Sequence, residues 1–383
     1  MTVLILSPFF SPNVGGVEAH LNKLISCLRK RDIKVIVLTY QPLTTPVKGL
    51  PVEKRDGVEI RRINWFGIGL FHKLEPYPII ELLYLIPGLL INCIGFFLTR
   101  RNEIDVIHAH GFVCSLITRL LKPIHRKRMV VSTHAIYHLE DRFLMRTFVR
   151  WILKPFDKIL AVGTPSKKEL IAIGLDKNKI DIHPNWIDLD AIKPFDSQMM
   201  RKELNLPEGF IVLFLSRMID KKGVTVLLEA AKQLSPSISW VFVGDGPMAP
   251  VIQEEAKEHK NIIFVGRIPN NESDKIPKYY SAASLFALPS QYEEGFAGAP
   301  LEALACGTPV LGSNKGCFPV DILDETVGVM VEPDVSHVPA AIKDLYAHQD
   351  KFANLRKNCR EYALRKFSEK NVEVIVAGYH KES

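Results

Sequence analysis

The chain has 383 residues, 47% of them hydrophobic and 24% charged, and a formal net charge of +7. That length and balance exclude a disordered or fibrous chain and leave room for two globular domains. Six scattered cysteines with no C-x-x-C pair exclude a small zinc or disulfide scaffold and suit a reducing compartment.

Charge is divided unevenly. Residues 1–190 hold 27 Lys and Arg against 17 Asp and Glu, so they carry +10, and residues 191–383 carry −3. A basic first half points to an anionic partner, either nucleic acid or an anionic membrane surface. No nucleic-acid-binding motif is present, so no nucleic-acid partner is expected.

In chain order, "TVLILS" (2–7) reads as the first strand. The start "MTVLILSPFF" lacks a basic n-region and soon reaches proline, so no secretory leader is expected. The loop "PFFSPNVGGVEAH" follows, where Gly15 and Gly16 let backbone approach a ligand closely. It is not a G-x-G-x-x-G fingerprint, which argues against simple dinucleotide binding. A helix over about 17–30 and a strand "KVIVLTY" (34–40) come next.

Residues 79–98, "IIELLYLIPGLLINCIGFFL", are long enough to span a bilayer, but Glu81, Pro87 and Asn92 interrupt them. A buried or interfacial helix pair is the expectation. "DVIHAH" (105–110), "MVVSTH" (129–134) and "KILAVG" (158–163) continue the strand series, the first two ending on His108, His110 and His134. Between the second and third, "RFLMRTFVRWILK" sets Arg142, Arg146, Arg150 and Lys154 four apart among Phe143, Leu144, Phe148, Trp151 and Leu153. That is the composition of a helix lying in a membrane surface, or of a core helix with a solvated basic edge.

The pattern restarts after "HPNWIDLDAIKP" with "FIVLFLSR" (210–217), "SWVFVGDGP" (239–247), "NIIFVGRI" (261–268), "SLFALPS" and "PVLGS". Apolar runs alternating with helices indicate two parallel sheets, each covered on both faces. Ligands in such sheets bind at the carboxyl ends of strands, expected here in the cleft between the domains. Arg217 and Lys222 follow the first strand of the second series, where two cations can clamp a diphosphate.

"EGFAGAPLEALACGTPV" (294–310) comes last. Pro300 suits a first helical turn, and Gly307 with Pro309 stops the helix, so 299–305 reads as a short helix. Its free N–H groups and small entry residues suit an anion such as phosphate. Glu294 would sit beside that phosphate, and Glu302 could accept from hydroxyls. Phosphate plus polyol suggests a nucleotide sugar.

"GGVE", "SRMIDKKG", "VGDGP", "VGRI" and above all the E-x7-E run from Glu294 to Glu302 resemble the signatures of glycosyltransferase family 4. The resemblance covers nearly the whole chain. It implies an α/β protein of GT-B fold, two doubly wound Rossmann-like domains facing across a cleft. The implied divisions are 1–188 on the acceptor side, 189–366 for the donor, and 367–383 as a helix returning to the first domain. It also implies retaining transfer from a UDP- or GDP-type nucleotide sugar, with no cofactor and no bound metal.

Carried over by motif, Arg217 and Lys222 neutralise the donor diphosphate. The backbone of Gly295, Phe296, Ala297, Gly298 and Ala299 binds its distal phosphate. Glu302 accepts from the ribose, and Glu294 holds the transferred sugar. Arg267 and Ile268 meet the base, and Gly16 borders the phosphates. Glu18, His110 and His134 face the acceptor, His134 being counted as catalytic with Glu294, Arg217 and Lys222. Ala297 stands where the family usually has glycine, and "PNWID" replaces "PNGVD", which puts donor geometry in doubt at Trp186.

The expected acceptor is lipid-linked or a glycan, in cell-surface glycan synthesis. The expected location is the cytoplasm, at the inner face of an anionic membrane. The alternatives are a GT-B epimerase or hydrolase of nucleotide sugars and a non-catalytic GT-B partner protein. Retention of Arg217, Lys222 and Glu302 argues against the latter.

Overall fold

A computed structural model describes residues 1–380 other than Val14, Ile68, Glu75, Pro76, Asp141, Pro184 and Phe296, with backbone only at His72, Pro78, Asn270 and Asn271. Contacts divide the chain into two units, Met1–Asn185 with Lys370–Ser383 and Trp186–Glu369. The divisions expected from sequence fall three residues later at the first crossing and three earlier at the second.

The first unit has an eight-stranded sheet: β1 Thr2–Leu6, β2 Lys34–Tyr40, β3 Val52–Arg55, β4 Val58–Ile63, β5 Val106–His110, β6 Arg128–Ser132, β7 Lys158–Ala161 and β8 Ile180–Ile182. Their order is β3-β4-β2-β1-β5-β6-β7-β8. Among the described residues, only the β3–β4 pair is antiparallel. β1 and β5 are buried almost throughout, because helices cover both faces of a parallel sheet. α1 (Gly16–Arg29) leaves the sheet after β1, and α2 (Pro78–Arg100), α3 (Gly111–Leu120) and α4 (Phe143–Leu153) follow. The C-terminal helix Val372–Tyr379 belongs to this unit.

The apolar stretch 79–98 is one helix, α2, and not the expected pair. Pro87 lies inside it, between Leu85 and Leu89, whose backbone groups meet one hydroxyl. The Tyr40 hydroxyl donates to Leu85 O at 2.6 Å and accepts from Leu89 N at 2.8 Å. A hydroxyl inserted between carbonyl and amide bends a helix without breaking it. Gly88 makes this approach feasible, since a Cβ there would lie 2.6 Å from that oxygen. Leu85, Leu89, Cys93 and Phe97 on the inner face are buried in the core of the unit.

The second unit has six parallel strands: β9 Phe210–Leu215, β10 Ile238–Val243, β11 Ile262–Gly266, β12 Leu285–Leu288, β13 Val310–Ser313 and β14 Gly328–Val331. Their order is β11-β10-β9-β12-β13-β14. The chain winds outward in one direction from β9 and in the other from β12. The gap between the carboxyl ends of β9 and β12 is therefore the topological switch point, where such sheets bind ligands. α5 (Val224–Gln233) follows β9, and α6 (Gly298–Ala305) follows β12, starting one residue before its expected position. The six cysteines are all buried free thiols.

Candidate active site

Both loops at the switch point of the second unit carry the charged groups singled out in the sequence. The loop after β9 runs through Arg217 to a single turn at Asp220–Lys222. The loop after β12 contains Ser290, Tyr292 and Glu294. Gly223, at φ +81°, joins them, for a Cβ there would lie 2.2 Å from Pro289 O. Any larger residue would push the loops apart.

Glu294 is 3% exposed, and both of its carboxylate oxygens accept hydrogen bonds. Lys222 Nζ donates to Oε1 at 2.5 Å, Ser290 Oγ to the same oxygen at 2.6 Å, and Tyr292 OH to Oε2 at 3.0 Å. The Lys222 ammonium also lies 5.2 Å from the centre of the Tyr292 ring. Arg217 is exposed on the same loop. "VGDGP" has a structural part in this. Met218 N donates to Asp245 O at 2.8 Å, and Ser216 N to Val243 O at 3.2 Å, so the loop after β10 braces the residues on either side of Arg217.

α6 begins at Gly298 with Ala297 as its cap, and no side chain among the described residues bonds its first amides. Gly298 is exposed, and Gly295 and Ala299 are half-buried, so this end is open to a ligand. Phe296 lies outside the described residues. Glu302, one turn in, accepts from Tyr280 OH at 3.2 Å. Burial first, and then the Glu302 charge, push the Tyr280 hydroxyl well above its ordinary pKa, so it remains a donor. Arg267 and Ile268 directly follow β11, at the edge of the sheet, with Arg267 exposed and Ile268 against the core. Tyr280, Ser290 and Tyr292 were not singled out from sequence. Only the "PS" and the aromatic residue ahead of Glu294 hinted at the last two.

The first unit gathers histidines at its own switch point, between β1 and β5. His110 Nδ1 and His134 Nε2 are 3.0 Å apart with the rings stacked, 5.3 Å between centres. His134 does not end β6 but lies two residues past it. His20 on α1 and His183 after β8 complete the group, 4.5 Å apart between ring centres. His108 serves the fold, with one nitrogen 2.8 Å from Tyr379 OH of the C-terminal helix and the other 2.8 Å from Ser132 Oγ.

Burial, reinforced by neighbouring histidines, holds His20, His108 and His110 well below the usual range, and burial takes His134 down to about 4. His20, His108, His110 and His134 are therefore neutral at pH 7. Glu18, in the first turn of α1, is buried with its carboxylate over Gly15, and burial raises its pKa. Gly16 is exposed at the start of that helix.

Residues 14–191 match the profile described as Glycosyltransferase Family 4, and residues 196–366 the profile Glycosyl transferases group 1. The chain is 26% identical to the D-inositol 3-phosphate glycosyltransferase of Segniliparus rotundus, over 85% of this chain and 76% of that protein. It is 27% identical to the GDP-mannose-dependent alpha-(1-6)-phosphatidylinositol monomannoside mannosyltransferase of Mycolicibacterium smegmatis, over 64% and 69%.

Among solved structures, sucrose-phosphate synthase from Thermosynechococcus elongatus superposes with a TM-score of 0.80 at 21% identity, over 98% of this chain and 97% of that one. Anabaena HepE in complex with UDP-glucose does so at 0.74 and 20%, over 98% of each chain. The chain belongs to glycosyltransferase family 4: it is a transferase enzyme with the GT-B, Rossmann-like fold.

Proposed function

We propose that the protein is a retaining glycosyltransferase that takes its sugar from a UDP- or GDP-sugar and transfers it to a lipid-linked or glycan acceptor in cell-surface glycan synthesis. The carrying observation is the Lys222–Glu294 pair at the β9–β12 switch point, beside a helix whose first amides no described side chain caps. The second unit binds the donor. Arg217, Lys222 and the α6 amides at Gly298 and Ala299 stabilise the charge that grows on the diphosphate as the sugar–oxygen bond breaks. Glu294, held by three donors, directs its carboxylate toward hydroxyls of the sugar, whose reacting carbon becomes oxocarbenium-like. Glu302, oriented by Tyr280, accepts from the ribose, and Arg267 and Ile268 border the base.

Acceptor recognition falls to the first unit, through Glu18 and the neutral His110–His134 pair, and Gly16 borders the phosphates. The enzyme works in the cytoplasm, at the inner face of a membrane. Six free buried thiols and a +10 charge on residues 1–190 support that location.

A thermal-shift panel of UDP, GDP, ADP and their sugars tests the reading. One nucleotide series should raise the melting temperature, and Arg217→Ala should weaken that response by on the order of 1.5–3 kcal/mol, the worth of a hydrogen bond to a charged group. Product analysis with lipid and oligosaccharide acceptors should then show the donor's anomeric configuration kept. No shift with any nucleotide, or an inverted product, would overturn it.

A further inference from the structure

Beside its core contacts, the α2–α3–α4 layer of the first unit leaves a broad apolar face uncovered. On α2, Ile80, Leu83, Ile91 and Leu98 point outward at helical spacing, with Leu83 68% exposed. α3 packs between α2 and α4 and adds Leu120. α4 adds Phe143, Leu144, Phe148 and Trp151, with Leu144 82% exposed. Leu153, by contrast, turns into the core. Soluble monomers seldom expose so many large apolar side chains on one face.

Cations accompany that face. Arg142, Arg146, Arg150 and Lys154 line α4, and none forms an ion pair with a described residue. Arg119 lies 4.8 Å over the Trp151 ring. Lys122 and Arg126 are exposed just beyond α3. Arg100 does not join this set, since Glu59 and Glu103 hold it in ion pairs. Phe143, Arg146, Thr147, Arg150 and Ile173 enclose a hollow of about 220 Å3. It has two cations on its wall and apolar carbon around them, and the Arg150 guanidinium lies over Gly174.

We infer that this layer docks on an anionic lipid bilayer, with α4 lying in the surface. Phe143, Leu144, Phe148 and Trp151 enter the upper acyl region, and a lipid phosphate sits between Arg146 and Arg150. Charge complementarity selects the bilayer over a protein partner, because every unpaired charge on α4 has the same sign. α2 has the length and apolarity to span a membrane. Crossing would strip Leu85, Leu89, Cys93 and Phe97 from the core, so it lies against the surface instead.

The inference deepens the inner-membrane location proposed above, and its test is independent of donor chemistry. The full chain is sedimented with vesicles of phosphatidylcholine, alone or mixed equally with phosphatidylglycerol. Trp151 serves as a reporter, with Trp151→Phe as its control. Binding is expected only to the anionic vesicles, with a blue shift that Trp151→Phe removes. Arg146→Gln with Arg150→Gln should lower partition roughly thirtyfold, at about 1 kcal/mol per cation, and salt should do likewise. Leu144→Ser should weaken insertion while the nucleotide thermal shift stays unchanged. Equal binding to both vesicles, no binding to either, or self-association that Leu144→Ser abolishes would each overturn the docking surface. The donor reading would stand or fall on its own thermal-shift panel.

Discussion

A single carboxylate organises the candidate donor side. Glu294 is buried, and Lys222 is its one cationic partner among the three donors. Removing one member of such a pair leaves the other charge uncompensated. Lys222→Ala should therefore cost about 3 kcal/mol of stability as well as donor affinity. Arg217→Ala, at an exposed position, should cost affinity with little change in melting. Lys222→Ala with Glu294→Gln should recover part of the lost stability and none of the activity. Urea melts of the three variants decide it, and an unchanged midpoint for Lys222→Ala would refute the structural half of the claim. Tyr280→Phe removes one bond to Glu302. Its effect should be confined to nucleotide affinity, about 0.5–1.5 kcal/mol, with turnover at saturating donor preserved.

At the scale of elements, the ends of β1, β5, β6 and β8 bring imidazoles together. The group comprises His20 and nearby Lys23 from α1, His108 and His110 from β5, His134 after β6 and His183 after β8, with Tyr379 from the C-terminal helix. Unfolded histidine titrates near 6.5, and His20, His108, His110 and His134 fold with lower values, so between the two the unfolded chain binds more protons. Stability should be complete above about pH 7 and fall from about pH 6.5 toward pH 4. His110→Asn with His134→Asn should flatten that slope, and a wild-type melting temperature constant from about pH 4.5 to 7 would contradict it.

The same strands show what sequence can and cannot convey. β1, β5, β9 and β12 were legible as apolar runs because both of their faces are covered. The β3–β4 hairpin passed unread although Asp56-Gly57 marks its turn, because its charged edge residues carry little apolar signal. The catalytic candidates were legible as charged residues in loops. The brace from Ser216–Met218 to Val243–Asp245 and the bond from Tyr280 to Glu302 were not. Each joins residues more than twenty positions apart, which only the folded sheet brings together.

At the scale of the whole molecule, each unit places its candidate groups at a switch point, but with opposite chemistry. The first presents neutral imidazoles, and the second presents cations and an open helix terminus. On the proposed reading, a diphosphate would have its charge met in the second unit by Lys222, Arg217 and the α6 amides, a task that elsewhere falls to a divalent ion. Glu294 is poorly suited to hold such an ion, since both of its oxygens already accept from Lys222, Ser290 and Tyr292. One grouping among the described residues could ligate a metal, Glu255, Glu258 and His259. It precedes the amino end of β11, opposite the strand ends that carry the donor groups, and Glu255 is already paired with Lys232. Transfer should accordingly continue in excess EDTA, with turnover and donor affinity within about twofold of their untreated values, because the cations proposed to neutralise the diphosphate are covalently part of the chain. Steady-state kinetics with and without chelator, each followed by added Mg2+ or Mn2+, measures this directly. A complete loss that either ion restores would mean that Arg217 and Lys222 do not carry the leaving-group charge.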